Sequence, residues 1–242
     1  MAHDTGRIVV LCGLAGSGKT STAKTLKEHG WIYFEGDVWS WGDPVSQAEE
    51  TPTPEMIAKA RENAEKMKAI MAMGAEFYAR VNAGEEGSYE AANAFYDLMM
   101  ADVLKVKHEN PGKDIVVVHA INHKKIRDHL FQCLEKDGCN KVSMVCLDVP
   151  HDALKRRNLY RLESRAKADG KTLQKFIMDF PGHNLPAEYE ARLEQLTSPG
   201  VLKLEPLGDD EKNVHFIHVS GVEDQAGVDK KVLDVLRMKE PE

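Results

Sequence analysis

The chain has 242 residues, of which 42% are hydrophobic and 29% charged, with a formal net charge of −7. That length buries one sizeable core and is too short for two full-sized enzymatic domains, so the expectation is one domain over 1–242 carrying an insertion. The acidic balance argues against nucleic acid as a partner. No apolar run approaches the roughly 20 residues of a membrane span, and Met1 to Val10 lacks the long apolar core of a secretory signal. No membrane partner is therefore expected, and cytoplasm is the expected compartment. Cys12, Cys133, Cys139 and Cys146 form no C-x-x-C pair and have no histidines at zinc-finger spacing. Reduced, mostly buried thiols are expected.

Arg7 to Cys12 is a continuous β-branched run that reads as a strand buried on both faces, and it ends in glycines. A helix is expected from Gly18 to His29, with Ala23 and Leu26 on its apolar side and Gly30 as its stop. Trp31 to Phe34 reads as a second strand closed by Glu35-Gly36-Asp37, and residues 38–53 read as loop. Thr53-Pro54 opens a helical pattern through Met56, Ala60, Ala64, Met67, Met71, Phe77 and Val81, which Gly84 and Gly87 break. Ser88 is placed to cap a second helix carrying Ala92, Phe95, Met99, Val103 and Val106 up to Pro111. These two helices make an insertion over 53–110.

Ile115 to Val118 is a third buried strand, followed by a helix with Ile126, Leu130 and Leu134 as its apolar stripe. Val142 to Val149 is a fourth strand. A basic helical stretch follows, then a looser region from Asp179 to Pro186, so that 155–186 forms a candidate lid, and then a short helix around Tyr189 to Leu196. Residues 205–213 read as a surface loop. Val214 to Val219 is the last strand, and Val228, Val232 and Val235 face inward from a terminal helix. This alternation predicts a three-layer α/β/α fold around a mostly parallel five-stranded sheet.

Gly13-Leu14-Ala15-Gly16-Ser17-Gly18-Lys19-Thr20 satisfies G-x-x-x-x-G-K-[ST] between a predicted strand and a predicted helix, the context that the phosphate-binding loop requires. Backbone N–H groups of such a loop turn inward around phosphate oxygens, the lysine reaches the terminal phosphates, and the threonine hydroxyl serves Mg²⁺. ATP and Mg²⁺ are the expected cofactors. The expected nucleotide contacts are Gly13, Ala15, Gly16, Ser17, Gly18, Lys19, Thr20 and Thr22. Asp37 follows the second strand at the edge where ligands of parallel sheets gather, a position suited to accepting a proton from an attacking hydroxyl or orienting the magnesium shell. His119 ends the third strand where nucleotide hydrolases place an acid, which counts against a GTPase or motor ATPase. Arg157, Arg161 and Arg165 recur every four residues on one helical face, a row suited to charge on a transferring phosphoryl group. His119, His123 and His183 have no metal-like spacing.

With these residues the chain resembles the gluconokinase and shikimate kinase branch of P-loop kinases, relatives of the nucleoside monophosphate kinases. The resemblance spans most of the chain. It rests on the glycine loop, on Phe34-Glu35-Gly36-Asp37, on Lys124-Lys125-Ile126-Arg127-Asp128 and on the arginine helix after Asp148-Val149-Pro150. It implies that Asp37 lies beside the acceptor hydroxyl, that Arg127, with Lys124 nearby, contacts substrate, and that Arg157 to Arg165 grip phosphates. Val38-Trp39-Ser40-Trp41 replaces the branch's Leu-His-Pro segment, and His119-Ala120-Ile121 its Ser-Ala-Leu, which points to an acceptor other than gluconate.

The resulting expectation is an ATP-dependent kinase acting on a hydroxyl of a sugar, sugar acid or polyol-like metabolite, as monomer or homodimer. Its catalytic residues are Lys19, Asp37, Arg127, Arg161 and Arg165; Arg157 holds nucleotide; Asp37, Trp39, Trp41, Lys124 and Arg127 bind substrate; Thr20 and Asp37 serve the metal. A nucleoside or nucleotide kinase, with Trp39, Trp41 or Phe77 stacking on a base, is the alternative within the fold. A regulatory nucleotide-binding protein, with the Met-rich insertion as a partner surface, is the alternative outside it.

Overall fold

Five short runs rich in β-branched residues assemble one sheet. The computed structural model describes residues 6–36, 53–55, 57–58, 61–62, 89–121, 123–180, 185–198, 204–220 and 223–237. Within them, β1 (Ile8–Gly13), β2 (Ile32–Glu35), β3 (Ile115–Val118), β4 (Val142–Asp148) and β5 (Val214–His218) pair in the order β2-β3-β1-β4-β5, every pairing parallel. Every residue of β1 and β3 is buried, as continuous apolar runs in a parallel sheet demand. The order places β1 between β3 and β4, so the connections diverge on either side of its C-terminal end, the switch point where such sheets hold ligands.

Helices cover both faces. One face packs α1 (Lys19–Glu28) and α7 (Gln225–Arg237) on Val9, Leu11, Val116 and Val145 through Ala23, Leu26, Val228 and Val232. The opposite face packs α2 (Glu90–Glu109) and α3 (Lys124–Lys136) on Ile8, Val10, Ile115 and Val117. Tyr96, Met99, Met100 and Val103 of α2 are buried there with Ile126, Leu130 and Leu134 of α3, whose i, i+4 spacing is the stripe read from sequence. Met99 and Met100 are therefore core residues, at 0% and 1% exposure, and not parts of a partner surface. Past β4, α4 (His151–Ala168), α5 (Leu173–Asp179) and α6 (Tyr189–Thr197) make a packed group, with Arg192 of α6 donating to the carbonyls of Ile177, Met178 and Pro186.

Several details differ from the sequence reading. The stretch after β4 is two helices, because Thr172 starts a new one, its side-chain oxygen accepting from the Lys175 N–H at 3.2 Å. In α7 the third inward residue is Leu236, with Val235 partly buried beside it, since a helical stripe advances by four as readily as by three. Pro54, Glu55, Ile57, Ala58, Arg61 and Glu62 are helical, while the rest of the expected first insertion helix, with Met56, Met67, Met71, Phe77 and Val81, lies outside the described residues. Cys12 and Cys146 are register partners on adjacent strands, with Cα atoms 4.6 Å apart, and form a disulfide where reduced thiols were expected. Cys133 and Cys139 are half-buried and lie outside this pairing.

Candidate active site

The loop between β1 and α1 is closed by a bond from the Ser17 N–H to the Leu14 carbonyl at 3.1 Å. Gly16 takes φ of +84°, and a Cβ built on it would lie 2.6 Å from Oδ1 of Asn158, so the position needs glycine on two counts. Lys19 folds back over the loop, its Nζ donating to the carbonyls of Gly13 at 2.8 Å and Leu14 at 3.1 Å. Among the described residues no side chain caps α1, and its first turn holds no acid. The N–H groups and positive end of the helix are thus left for an anion.

A cavity of about 710 Å³ opens over this loop, walled by Ala15, Gly16, Gly18, Lys19, Thr20 and Ser21 on one side. Arg157, Arg161 and Arg165 wall the other side; the four-residue period of α4 turns all three toward the loop. Arg157 bridges the site through long hydrogen bonds of 3.4 Å, from Nη1 to the Gly16 carbonyl and from Nη2 to the Glu223 carbonyl. Glu223 is the one acid among the described lining residues, and its hydrogen bond from Lys231 holds its carboxyl below the usual range. Four cations around one small cavity suit a polyphosphate. The uncapped helix end fits its phosphate oxygens and the Thr20 hydroxyl fits its magnesium ion.

Three of the expected nucleotide contacts, Gly13, Ser17 and Thr22, are not in the cavity wall, and Gly13 gives its carbonyl to Lys19. Thr22 is buried in the seam between α1 and α7, where its Oγ1 donates to Asp229 at 2.8 Å and accepts from Gln225 at 3.0 Å. Ser17 is 1% exposed beneath the loop, and its Oγ has no hydrogen-bond partner among the described residues.

On the acceptor side, Asp37, Trp39 and Trp41 lie outside the described residues, as does His183. Gly36 is described: a Cβ there would come 2.5 Å from the Val118 carbonyl, so the chain leaving β2 stays tightly against the end of its parallel neighbour β3. Beside it, His119 packs on Phe95 and Tyr96, its Nδ1 3.1 Å from the Tyr96 hydroxyl. His123 precedes α3 with Nδ1 3.0 Å from Glu205.

Arg127 is not in the cavity wall. It is wholly buried; its guanidinium donates to both Glu211 oxygens, at 2.6 and 2.9 Å, and to the carbonyls of Glu205 and Pro206. Lys124 is bound to Asp128 at 2.7 Å and Asp210 at 2.9 Å, and these hydrogen bonds raise its pKa above the ordinary lysine value. The expected substrate contacts Arg127 and Lys124 are corrected accordingly: they dock residues 204–211 onto α3, and the stretch read as a surface loop is tied down through the side chains of Glu205, Asp210 and Glu211.

The sequence profile of a family described as AAA domain matches residues 8–182, from β1 through the arginine helix and α5. The chain belongs to this AAA domain family. Membership is broader than the gluconokinase and shikimate kinase branch that the sequence resembles. No curated protein matches the sequence. Among solved structures, a sugar kinase from Janibacter sp. HTCC2649, crystallised unliganded, is 17% identical with a TM-score of 0.48, over 97% of this chain and 96% of that one. The Mycobacterium tuberculosis APS kinase CysC, in complex with AMPPNP and APS, is 17% identical with a TM-score of 0.47, over 96% and 98%. A gluconokinase from Sinorhizobium meliloti 1021 is 16% identical with a TM-score of 0.40, over 98% and 99%.

This AAA domain also lines its cavity with residues that the sequence did not single out. Tyr160, Phe180 and Leu196 contribute apolar surface, and Asn158, Glu223 and Gln225 contribute polar groups. Glu223 and Gln225 follow β5 at the same strand edge as the glycine loop, so the rule that ligands gather at the carboxyl ends of parallel strands was the available signal. Asn158 is 6% exposed and donates to the Thr197 carbonyl at 3.1 Å, which holds α4 against α6 at the point where it meets Gly16.

Proposed function

We propose that the protein is an ATP-dependent kinase that transfers the γ-phosphoryl group of Mg-ATP to a hydroxyl of a small molecule, a sugar, sugar acid or polyol-like metabolite. The observation that carries this reading is the row Arg157, Arg161 and Arg165 facing Lys19 across one cavity. Phosphoryl transfer spreads charge over the three equatorial oxygens, and fixed cations on two sides stabilise that charge more than they stabilise the ground state. Lys19 is held over the loop and exchanges its two carbonyl partners for phosphate oxygens when nucleotide enters. Arg157 grips nucleotide from the Gly16 side, while Arg161 and Arg165, one and two turns further along α4, serve the transferring group. Thr20 would hold magnesium, which when bound would supply charge neutralisation to the phosphates. Asp37 follows Gly36 and takes the proton of the attacking hydroxyl. The segment from 53 to 110 forms the acceptor pocket, and 155–186 acts as a lid.

A nucleoside acceptor draws support from one specific feature, the half-buried Phe95 ring at the C-terminal end of β3, backed by the buried Tyr96 and His119. ADP release is measured with Mg-ATP against sugars, sugar acids, polyols and nucleosides, with Asp37→Asn in parallel. One compound should raise turnover far above the water background, and the variant should lose ~10²–10⁴-fold of it while still binding ATP. Slow hydrolysis indifferent to every acceptor would leave a regulatory nucleotide-binding protein as the better reading.

A further inference from the structure

On the sheet face opposite α1, three side chains that no step of phosphoryl transfer uses converge between α2 and α3. His129 and Cys133 stand one helical turn apart on α3, and Asp97 reaches over from α2. Asp97 Oδ1 lies 2.7 Å from His129 Nε2 and 3.1 Å from Cys133 Sγ, and Cys133 Sγ lies 3.5 Å from His129 Nε2. We propose that Asp97, His129 and Cys133 form a zinc-class divalent metal site that staples α2 to α3.

The geometry suits the ion. A tetrahedral zinc with bonds of about 2.0–2.3 Å sets its ligand atoms roughly 3.3–3.7 Å apart. One edge of the triangle already has that length, and the other two, at 2.7 and 3.1 Å, must open by at least about 0.6 and 0.2 Å to reach about 3.3 Å, which a rotation of the exposed Asp97 side chain permits. The helices beneath are fixed by Tyr96, Met99, Ile126 and Leu130 in the core, so little backbone ordering is needed on binding. One thiolate, one imidazole and one carboxylate form a borderline-soft set, matched to zinc in preference to magnesium or calcium, with the fourth position left to water.

A Cys–His–Asp nucleophile is the competing reading of the same residues, and the geometry opposes it. Such a triad uses the two ring nitrogens of histidine separately, whereas here both partners meet Nε2. Burial and the hydrogen bond to Asp97 also push the Cys133 thiol up to about 11, the reverse of an activated cysteine. A dication entering the triangle takes the thiolate, releases its proton to solvent, and leaves the imidazole proton on Nδ1. None of the three residues walls the nucleotide cavity. The ion would instead fix α2, whose Tyr96 holds His119 at the end of β3.

The test is titration of the metal-free full-length protein with Co²⁺, followed by displacement with Zn²⁺ and competition against a chromophoric chelator. One equivalent of Co²⁺ should produce thiolate-to-cobalt charge transfer in the near ultraviolet together with tetrahedral d–d bands, and Zn²⁺ should abolish both. Cys133→Ser should lose the charge-transfer band. Cys139→Ser, a control at a cysteine outside the site, should keep it. His129→Gln and Asp97→Asn should each weaken zinc by at least about tenfold, with an unchanged circular dichroism spectrum showing that these variants remain folded. A wild-type protein without the band, a band that survives Cys133→Ser, or zinc affinity indifferent to both His129→Gln and Asp97→Asn would overturn the site.

Discussion

Arg127 of α3 and Glu211 of the segment before β5 form a two-pronged ion pair, Nε to Oε1 at 2.6 Å and Nη2 to Oε2 at 2.9 Å, with side-chain exposures of 0% and 3%. Removing one partner strands the other charge in the interior. Glu211→Ala should therefore cost ~3–5 kcal/mol in urea unfolding, whereas Arg127→Met with Glu211→Leu together should recover most of it. If the pair instead held substrate, the single variants would abolish turnover without lowering the urea midpoint.

The same pair sets an acid limit on stability. Burial alone would raise the Glu211 carboxyl, but the hydrogen bonds from Arg127 and the Gly208 N–H outweigh it and hold it below its ordinary value. Glu205 behaves likewise, its burial outweighed by His123 and the Lys124 N–H. A carboxyl lowered in the folded state contributes stability that is whole above the unfolded value of about 4.3 and fades as pH falls through the folded one. Urea midpoints taken from pH 7 downward should hold level to about pH 5 and then drop. Glu211→Gln should flatten that drop.

These two residues also mark where the sequence stopped being legible. The strands were readable because uninterrupted β-branched runs have few alternatives in a protein of this composition, and the arginine row because its period is that of a single helix. Arg127 was read as a substrate contact because the resembled family implies it, and its true partner, Glu211, is 84 positions away and reaches it only in the folded chain. The Cys12–Cys146 pairing depends in the same way on strand register, across 134 residues. His129 and Cys133 could be seen as a helical pair, but Asp97 joins them only through the packing of α2 on α3. Local period was visible, and long-range pairing was not.

Gly36→Ala probes the close approach of the chain after β2 to the end of β3. The new methyl would sit 2.5 Å from the Val118 carbonyl, which belongs to the central sheet and cannot yield. The end of β2 must shift, and Asp37 follows it directly in the chain. We expect kcat to fall at least ~10²-fold, the scale of a misplacement of about 1 Å, while ATP affinity measured by calorimetry stays within about twofold, because the glycine loop is untouched. An unchanged kcat would detach Asp37 from the chemistry.

Substitution along α4 separates nucleotide binding from transfer. Arg157 touches Gly16 and Glu223 through backbone carbonyls, so Arg157→Ala should weaken ATP binding and raise KM for ATP, with a smaller effect on kcat. Arg161 and Arg165 line the cavity further along the same face, and in the proposed reaction they meet charge that develops only during transfer. Arg161→Ala and Arg165→Ala should therefore lower kcat and kcat/KM together, by ~10²–10³-fold for whichever lies nearer the transferring group, with ATP affinity nearly preserved. Lysine at the same positions should restore little, since a single ammonium cannot reproduce the planar fork. Single-turnover kinetics at saturating ATP read the difference directly. Equal losses in affinity at all three positions, with kcat unaltered, would make the row a nucleotide clamp, and the charge of the transferred group would then rest on Lys19 and the metal.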